Sequence, residues 1–289
     1  MTMSRKPHRL IVVVLAGLAV MLVAVGCGEK ETATPTPETK AAQPEAKPAP
    51  KPTVQVAPKP TPAPAGAFAA FQKTQQVPVA RVPVVSAAPK LDGVLDDVYK
   101  KSATGLKFKF LVGGDANPTA ATTVYVLSTT KELFVFYNCE SPDMDALLAD
   151  VRDHDGSVWQ DDSIEMFIDP TNKRQVDGYM HFAINALGTS YESKGPKDDA
   201  DASWDPKMQV KTKVGKKAWT MEVAIPFTEL VKDAKKIDRV WAVNFNRMAY
   251  LIEGTEDTAW SPTGGTDSHV PSKFGCLWLD VGSVDNTKQ

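Results

Sequence analysis

Short segments in which apolar and polar residues alternate recur along the chain from about residue 77 onward. Alternation places successive side chains on opposite faces of an extended strand, so each segment predicts a β-strand with one apolar face. Convincing helical patterns are confined to residues 144–151 and 227–231. Many short strands separated by turn residues predict an all-β fold, an immunoglobulin-like or jelly-roll-like antiparallel β-sandwich. The predicted strands are 82–85, 122–127, 132–139, 163–169, 179–185, 208–214, 218–225, 240–248 and 274–279.

The predicted strand 163–169 carries a charged group as well as core residues. One face is apolar, and the other face includes Glu165 in mid-strand, where acidic residues are depleted. An unpaired charge is costly to bury, so this carboxylate needs a partner. The apolar face consists of Ile164, Met166 and Ile168, and the opposite face of Ser163, Glu165, Phe167 and Asp169.

Trp159 lies in the predicted turn just before this strand, close to Asp162 and Glu165. The apolar face of a sugar ring stacks on an indole, and sugar hydroxyls donate to carboxylates. An aromatic plane beside carboxylates therefore indicates sugar recognition. The alternative is a surface strand in which Glu165 pairs with a lysine while Trp159 covers the core.

Two further predicted strands carry amides on their polar faces. Asn185 ends the strand 179–185, and Asn244 and Asn246 alternate with apolar residues in the strand 240–248. Amide side chains both donate and accept hydrogen bonds, so they can bind neighbouring hydroxyls of a sugar. The alternative is an ordinary solvated face of an antiparallel sheet.

The N-terminus has the pattern of an export signal. A basic start and an apolar run over residues 10–25 precede Cys27, and the run is shorter than the ~20 residues that a membrane-spanning helix needs. Residues 22–27 resemble the bacterial lipobox, in which the cysteine becomes the lipidated N-terminus. We therefore expect a lipoprotein signal peptide at 1–27, lipidation at Cys27, and an exported protein anchored to the outer membrane or held at the cell surface or in the periplasm. The alternative is a plain secretory signal or an uncleaved anchor.

Residues 28–76 consist mainly of proline, alanine, lysine and threonine. Such a segment buries too little apolar surface to fold and favours extended geometry, so it predicts a disordered linker. The remaining residues, 77–284, are long enough for one sizeable core and are predicted to form a single domain.

Charge and cysteine content exclude some functional classes. The 33 basic and 35 acidic residues give a net charge of -2, so we expect no nucleic-acid partner. The four His and three Cys residues show no C-x-x-C or H-x-x-H spacing, which argues against a structural zinc site. Cys139 and Cys276 lie in different predicted strands and are expected to point into the core. They are a candidate disulfide, or else two buried reduced thiols.

Two acidic loops offer oxygen ligands. Asp153 and Asp155 lie close together before the Trp159 turn, and a second acidic group occupies residues 198–201. Calcium takes about six to eight oxygen ligands, and neither loop follows an EF-hand pattern. Asp153 and Asp155 are candidate calcium ligands, and the alternative is that both loops are simply solvated.

Several motifs occur together in an order and spacing that resemble the family 9 carbohydrate-binding module over nearly the whole folded part. The resemblance implies a β-sandwich that clamps a terminal sugar between two aromatic planes, with acidic and amide groups beside it and often with structural calcium. The motifs are Lys90-Leu91-Asp92-Gly93, Trp159 with 162–169, 219–227, Trp260-Ser261 and 271–275.

The resemblance also assigns roles to residues. Trp159 resembles the first aromatic plane and Glu165 the carboxylate, and Asn185 lies near the family's polar strand. Two positions depart from the pattern, because Ala183 stands where sugar-binding members carry an arginine and His269 where they carry the second tryptophan. The expected carbohydrate-binding residues are Trp159, Asp162, Glu165, Asn185, Asn244 and His269.

Other functions stay open at this point. Members of the wider superfamily bind b-type haem in the same region, so His181, His269, Met180 and Met248 are candidate axial ligands. No spacing fixes a His and Met pair, which disfavours haem b. Glycoside hydrolysis needs two carboxyl groups ~5–9.5 Å apart, and only the family's association with glycoside hydrolases suggests it.

The sequence therefore predicts an exported, lipid-anchored carbohydrate-binding module that recognises a sugar or oligosaccharide end without catalysis. A glycoside hydrolase is its candidate partner in polysaccharide breakdown. The alternative is a haem-binding, structural or interaction β-sandwich.

Overall fold

Two β-sheets form the framework of residues 63–288, the part of the chain that the computed structural model describes. The strands are β1 (Val79–Val82), β2 (Leu106–Lys107), β3 (Lys109–Phe110), β4 (Thr122–Ser128), β5 (Glu132–Glu140), β6 (Ser163–Asp169), β7 (Met180–Asn185), β8 (Ser190–Lys194), β9 (Gln209–Val214), β10 (Ala218–Pro226), β11 (Val240–Leu251), β12 (Gly254–Ala259) and β13 (Gly275–Leu279).

The first sheet has eight strands in the order β1-β13-β11-β6-β7-β8, and β12 pairs with both β11 and β3. The second sheet has five strands in the order β2-β4-β5-β10-β9. The strand pairs are antiparallel except β1 with β13, which is parallel. The predicted all-β sandwich is thus confirmed. Every predicted strand from residue 122 onward is present, whereas β2, β3, β8 and β12 were not predicted.

The helices are short. They are α1 (Ala67–Thr74), α2 (Asp97–Ser102) and α3 (Phe227–Leu230), with 3-10 turns at Met144–Ala146, Val158–Gln160, Lys197–Asp199 and Pro271–Lys273. The helix predicted at 227–231 is confirmed by α3, which follows Pro226 directly.

The helix predicted at 144–151 is wrong beyond its first turn. The backbone N–H of Leu148 donates to Asp162 Oδ2 at 3.0 Å. The N–H groups of Asp150 and Val151 donate to the Asp161 carboxylate at 3.1 and 2.9 Å. These N–H groups bond to side chains outside the segment and cannot also make i to i−4 bonds, so the segment continues as an extended loop.

The main core lies between the two sheets. Ile164, Met166 and Ile168 of β6 point into it, as their alternation predicts, and they are fully buried. The same cluster includes Trp219 of β10 and Trp241 of β11. Burying side chains of this size supplies most of the driving force for packing the two sheets, about 1.5–3 kcal/mol for each large apolar side chain. This packing gives the outer face of the first sheet a rigid base.

A separate cluster closes the outer face of the second sheet, the face that points away from the first sheet. Glu222 of β10 accepts hydrogen bonds from the N–H groups of Asp92 and Gly93 at 3.1 and 3.2 Å, and from the Tyr99 hydroxyl at 3.1 Å. Gly93 has φ 72°, a conformation that favours glycine, so the predicted Asp-Gly turn is suited to this contact. The second sheet therefore has a covered outer face at this carboxylate.

The folded part begins earlier than predicted. The predicted linker 28–76 contains the helix α1, and Phe71 of that helix packs on Trp278 of β13 with ring centroids 5.4 Å apart. The prediction of a disordered linker up to residue 76 is therefore wrong for residues 67–74, which form α1. The predicted signal peptide 1–27 and lipidation site Cys27 lie outside the described residues. Between residues 63 and 288, no helix is both long enough and apolar enough to span a membrane.

The predicted disulfide is wrong, because Cys139 and Cys276 are both free thiols in the described part of the chain. Cys139 lies in the core between the sheets, as expected. Cys276 instead points to the outer side of the first sheet, where it packs with Trp278 and accepts a hydrogen bond from Arg174 Nη2 at 3.0 Å. The two thiols thus belong to different clusters, and the alternative of two buried reduced thiols is the one observed.

Candidate functional site

The register of the first sheet places a set of polar and aromatic side chains on its outer face. Residues directly opposite each other in neighbouring antiparallel strands point to the same side. Glu165 is opposite Ala183, which is opposite Tyr191, and Met248 is opposite Asp257. His181 is opposite Phe167, on the same face as Glu165. Glu165, His181, Tyr191, Met248 and Asp257 therefore share this face and line one pocket.

This pocket has a volume of about 430 Å³. The sheet forms its floor, and three loops form its walls. Trp159 comes from the 3-10 turn Val158–Gln160, Lys197 from the turn after β8, and His269 from the segment before Pro271. Lys197 Nζ lies 3.0 Å from Asp267 Oδ1, an ion pair that joins two of these walls. The volume falls within the ~300–1,000 Å³ typical of small-molecule sites.

Trp159 is the most open aromatic residue of the pocket, with 42 % of its surface exposed. Its ring contacts Tyr191 edge to face, with centroids 5.3 Å apart and planes at 84°. The alternative role for Trp159, a cover for the core, is therefore wrong. An exposed indole held by a second aromatic ring offers a flat apolar surface to a ligand.

Glu165 has a partner, as expected, but the partner is a histidine and not a lysine. Glu165 Oε1 lies 3.1 Å from His181 Nε2, and the Ser268 hydroxyl lies 3.5 Å from Oε2. Burial alone would raise the pKa of Glu165, but the hydrogen bond and charge of His181 outweigh it and hold this pKa below its usual value. His181 stacks on Phe167 with centroids 4.5 Å apart and planes at 3°. Glu165 is thus an oriented, ionised acceptor at neutral pH.

His269 is fixed at another wall of the pocket. Its Nδ1 lies 2.8 Å from the Tyr179 hydroxyl, and its ring centroid is 4.9 Å from that of His181. Burial, together with the charge of His181, lowers the pKa of His269 to about 4, so the ring is neutral near pH 7. The structure therefore places His269 on the pocket, as an uncharged aromatic surface.

Asp257 is a pocket residue that the sequence did not indicate, because its strand β12 was not predicted. Burial raises the pKa of Asp257 to about 7, and the negative charge of Glu165 adds to the effect. Tyr191 was missed for the same reason, since β8 was not predicted either. Both strands carry polar residues on their two faces, so neither shows the alternation of apolar and polar residues that would have revealed it.

Asp162 does not belong to the pocket. It is buried, with 1 % exposure, and accepts a hydrogen bond from the N–H of Leu148 at 3.0 Å. Its Oδ1 lies 3.9 Å from Nη2 of the buried Arg247. Asp162 anchors a loop, and its expected role as a sugar ligand is corrected.

The two candidate amide side chains also form their hydrogen bonds outside the pocket. Asn185 donates to the carbonyl of Val151 and to Asp161 Oδ2, both at 2.8 Å. Asn244 donates to the carbonyl of Ser261 at 2.9 Å and accepts from the Ser261 N–H at 3.0 Å. Both side chains are fully buried. Their expected contact with a sugar is corrected, because their hydrogen bonds close loops beside the sheet.

The haem candidates are only partly brought together. His181, His269 and Met248 line the pocket, whereas Met180 lies in the main core. His181 and His269 each hold a protein partner, Glu165 and the Tyr179 hydroxyl respectively. Haem b stays an untested alternative.

The calcium candidates Asp153 and Asp155 are exposed. Among residues 63–288, one group of three His, Cys, Asp or Glu side chains could share a metal ion, and it consists of His154, Glu192 and Asp205. Neither candidate belongs to that group, so calcium at Asp153 and Asp155 stays a prediction.

Comparison with known proteins agrees with this architecture. Residues 91–281 match the family model described as carbohydrate family 9 binding domain-like. A carbohydrate binding module family 9 from Caldicellulosiruptor kristjanssonii, in complex with cellotriose, superposes with a TM-score of 0.52 at 18% identity, over 72% of this chain and 97% of that one. The same kind of module from that organism in complex with glucose gives a TM-score of 0.52 at 18% identity, over 72% and 100%.

A putative carbohydrate-binding protein from Bacteroides uniformis is also similar, with a TM-score of 0.57 at 17% identity, over 71% of this chain and 100% of that chain. At such low identity these similarities concern the fold. No curated protein matches the chain.

Proposed function

The chain belongs to the carbohydrate family 9 binding domain-like family, and we propose that its pocket binds the end of a saccharide without cleaving it. The observation that carries this proposal is the exposed Trp159 ring beside the ionised, oriented Glu165 in a pocket of about 430 Å³. A sugar presents an apolar ring face and a rim of hydroxyls, and this pair of residues complements both.

Each pocket residue has a role in this proposal. Trp159 stacks on the ring face of the terminal sugar, and Glu165 accepts hydrogen bonds from two neighbouring hydroxyls. His269 forms an aromatic wall in the place of the family's second tryptophan. Because Ala183 replaces the family's arginine, the Lys197 and Asp267 ion pair supplies polar contacts at the pocket rim instead. We expect weaker binding than in a clamp of two tryptophans, because an imidazole offers less stacking area than an indole.

The first ligands to test are glucose-containing saccharides. The Caldicellulosiruptor module of the same fold was determined in complex with cellotriose and with glucose, which supports this choice. The experiment is a glycan-array screen of the purified chain, followed by titration calorimetry on the best ligand.

Two pocket variants and one control test the location of the site. Trp159→Ala and Glu165→Ala should each lose binding while remaining folded. Ile252→Ala changes an apolar residue that is 76 % exposed and lies outside this pocket, and it should bind like the unchanged chain. Binding that survives both pocket variants, or a folded chain that binds no glycan, would overturn the proposal.

We also propose export and lipid anchoring at Cys27, followed by a linker that carries the domain away from the membrane. The basic start, the apolar run and the cysteine in residues 1–27 support this. A glycoside hydrolase that acts on the same polysaccharide is the partner we propose. In a bacterial host the chain should partition with membranes, and Cys27→Ser should release it. A Cys27→Ser chain that stays in the membrane fraction would contradict lipidation.

A second candidate function, glycoside hydrolysis, is favoured by one observation. Asp257 and Glu165 line the same pocket, and their pKa values are displaced in opposite directions, to about 7 for Asp257 and below the usual value for Glu165. Such a pair resembles the acid and the ionised carboxylate of a glycosidase. Release of nitrophenol from aryl glycosides, abolished by Asp257→Asn, would support hydrolysis. The binding proposal expects no turnover.

A further inference from the structure

Three side chains that can bind a metal meet on the side of β8 opposite the pocket. Tyr191 points into the pocket, and Glu192, the next residue along the strand, points the other way. There Glu192 meets His154, from the loop before Trp159, and Asp205, from the segment before β9. Each residue offers one ligand atom, and these atoms all lie within 4.8 Å of one another.

Glu192 is the side chain that most needs a cation. It is 1 % exposed, and its Oε2 lies 2.9 Å from His154 Nε2. No hydrogen bond of ordinary geometry from residues 63–288 reaches its buried Oε1. A buried carboxylate with one oxygen unsatisfied is costly, and a bound cation would remove that cost.

His154 is oriented in the way that metal-binding histidines are. Its second ring nitrogen, Nδ1, lies 3.5 Å from Asp155 Oδ2. A carboxylate at the second nitrogen fixes the ring and leaves Nε2 free to bind a metal in place of its present contact with Glu192. The loop is held in position by the Asp155 N–H, which donates to the Ser190 carbonyl at 3.0 Å.

We propose that His154, Glu192 and Asp205 bind a divalent cation of the zinc class. One imidazole and two carboxylates form a ligand set that zinc accepts, with water at the fourth position. Ligands ~2.0–2.1 Å from a tetrahedral zinc ion lie ~3.3 Å apart, so only small side-chain shifts are needed. Calcium is disfavoured, because it takes about six to eight oxygen ligands.

The sequence argued against zinc because it lacks the spacings of structural sites. His154 and Glu192 are 38 residues apart, so only the fold brings them together. The proposed ion would join the loop that precedes Trp159 to β8, on the reverse side of the strand that carries Tyr191. Metal binding at this site does not depend on sugar binding and is tested by a separate measurement.

The test is titration calorimetry of the full chain with Zn²⁺, and with Ca²⁺ for comparison. We expect one Zn²⁺ site that His154→Ala weakens by ~10-fold or more. Glu192→Gln keeps the side-chain shape and should also weaken it. Asp150→Asn changes an exposed carboxylate of the same loop that is outside the group and should leave the affinity unchanged.

The exposed position of His154, whose side chain is 48% accessible, makes its variant suitable for this test, because its loss should not unfold the chain. Circular dichroism checks the fold of each variant. The proposal is overturned if the unchanged chain binds no Zn²⁺, if Asp150→Asn weakens binding as much as His154→Ala, or if Ca²⁺ binds the same site more tightly than Zn²⁺.

Discussion

Two mid-strand glutamates, Glu165 of β6 and Glu222 of β10, look alike in the sequence and differ in the structure. Each alternates with core residues, and each lies on the outer face of its own sheet. Glu222 is fully buried and bonded to two backbone N–H groups and a tyrosine hydroxyl. Glu165 retains 16% side-chain exposure, and among residues 63–288 its carboxylate is held by the side chains of His181 and Ser268.

The difference shows how to separate a structural carboxylate from one that can bind a ligand. Backbone donors come from a segment that crosses the sheet, so they hold that segment in place and close the face. Side-chain donors orient the acid and leave the face open. A mid-strand glutamate is therefore a candidate binding residue when its partners are side chains at the edge of a pocket.

The largest expected effect is a loss of stability when Glu222, on the covered outer face of the second sheet, is replaced. Glu222→Ala leaves two backbone N–H groups and the Tyr99 hydroxyl without an acceptor, and each buried unsatisfied group costs ~1–3 kcal/mol. We expect the free energy of unfolding to fall by ~3–5 kcal/mol, measured by urea denaturation. Glu222→Gln keeps one oxygen acceptor and should cost less. Equal loss in the two variants would contradict this account of Glu222.

A change at Glu165, on the open outer face of the first sheet, should weaken ligand binding and leave the stability nearly unchanged. Glu165→Gln removes the charge that strengthens hydrogen bonds from sugar hydroxyls, worth ~1.5–3 kcal/mol, or ~10- to 100-fold in affinity. The free energy of unfolding should change by only ~1 kcal/mol, because the amide that this substitution introduces both donates and accepts and can still pair with the His181 ring. Calorimetry with the saccharide and urea denaturation measure the two quantities. A larger effect on unfolding than on binding would erase the distinction between the two glutamates.

A smaller change sharpens the comparison on the closed side. Tyr99→Phe removes one of the three donors to Glu222 and keeps the packing of the ring on Phe136, 5.6 Å away between centroids. We expect a loss of ~1 kcal/mol in unfolding free energy and no effect on saccharide binding. Thermal unfolding and calorimetry test both statements. An altered saccharide affinity would show that the two faces are coupled.

The smallest effect concerns the charge next to Glu165. The pKa of Asp257 is raised from 3.8 to about 7 in the folded chain. The folded state then binds more protons than the unfolded state between these values, so the stability that Asp257 contributes at low pH is lost as the pH rises toward 7.

Asp257→Asn removes this loss. It should raise the free energy of unfolding at pH 8 by up to ~1 kcal/mol, because Asp257 is partly exposed and water screens its charge. At pH 4 the variant and the unchanged chain should be nearly equal. Urea denaturation at the two pH values measures the difference, and an equal effect at both would mean that Asp257 keeps an ordinary pKa.

Much of the fold could be predicted because period-two alternation is a local property. The alternation of Ile164, Met166 and Ile168 correctly predicted which face of β6 enters the core. The short distance along the sequence between Trp159 and Glu165 predicted that these two residues are neighbours. Both residues indeed reach one pocket. Strands with polar residues on both faces, such as β8 and β12, give no such signal, and with them Tyr191 and Asp257 were missed.

The errors have a common physical origin, since they depend on contacts between distant parts of the chain. Asp161 and Asp162 bind the backbone of residues 148–151, which replaces a predicted helix by a loop. Asn185 and Asn244 lie on the predicted strands, but their side-chain amides donate to loop carbonyls and do not reach the pocket. Cys276 points outward with Trp278, onto a face that α1 covers with a second apolar layer, and composition alone assigned α1 to the linker.

The helix α1 also determines where a recombinant fragment of this protein should begin. Phe68 and Phe71 of α1 both contact Trp278, and the family match begins only at residue 91. A recombinant fragment that starts at residue 77 would uncover Trp278 and the Cys276 thiol beside the edge strand β1. Exposed apolar surface at a sheet edge promotes aggregation, and an uncovered thiol promotes oxidative dimers. The expression boundary therefore belongs before residue 63, well upstream of where family resemblance would put it.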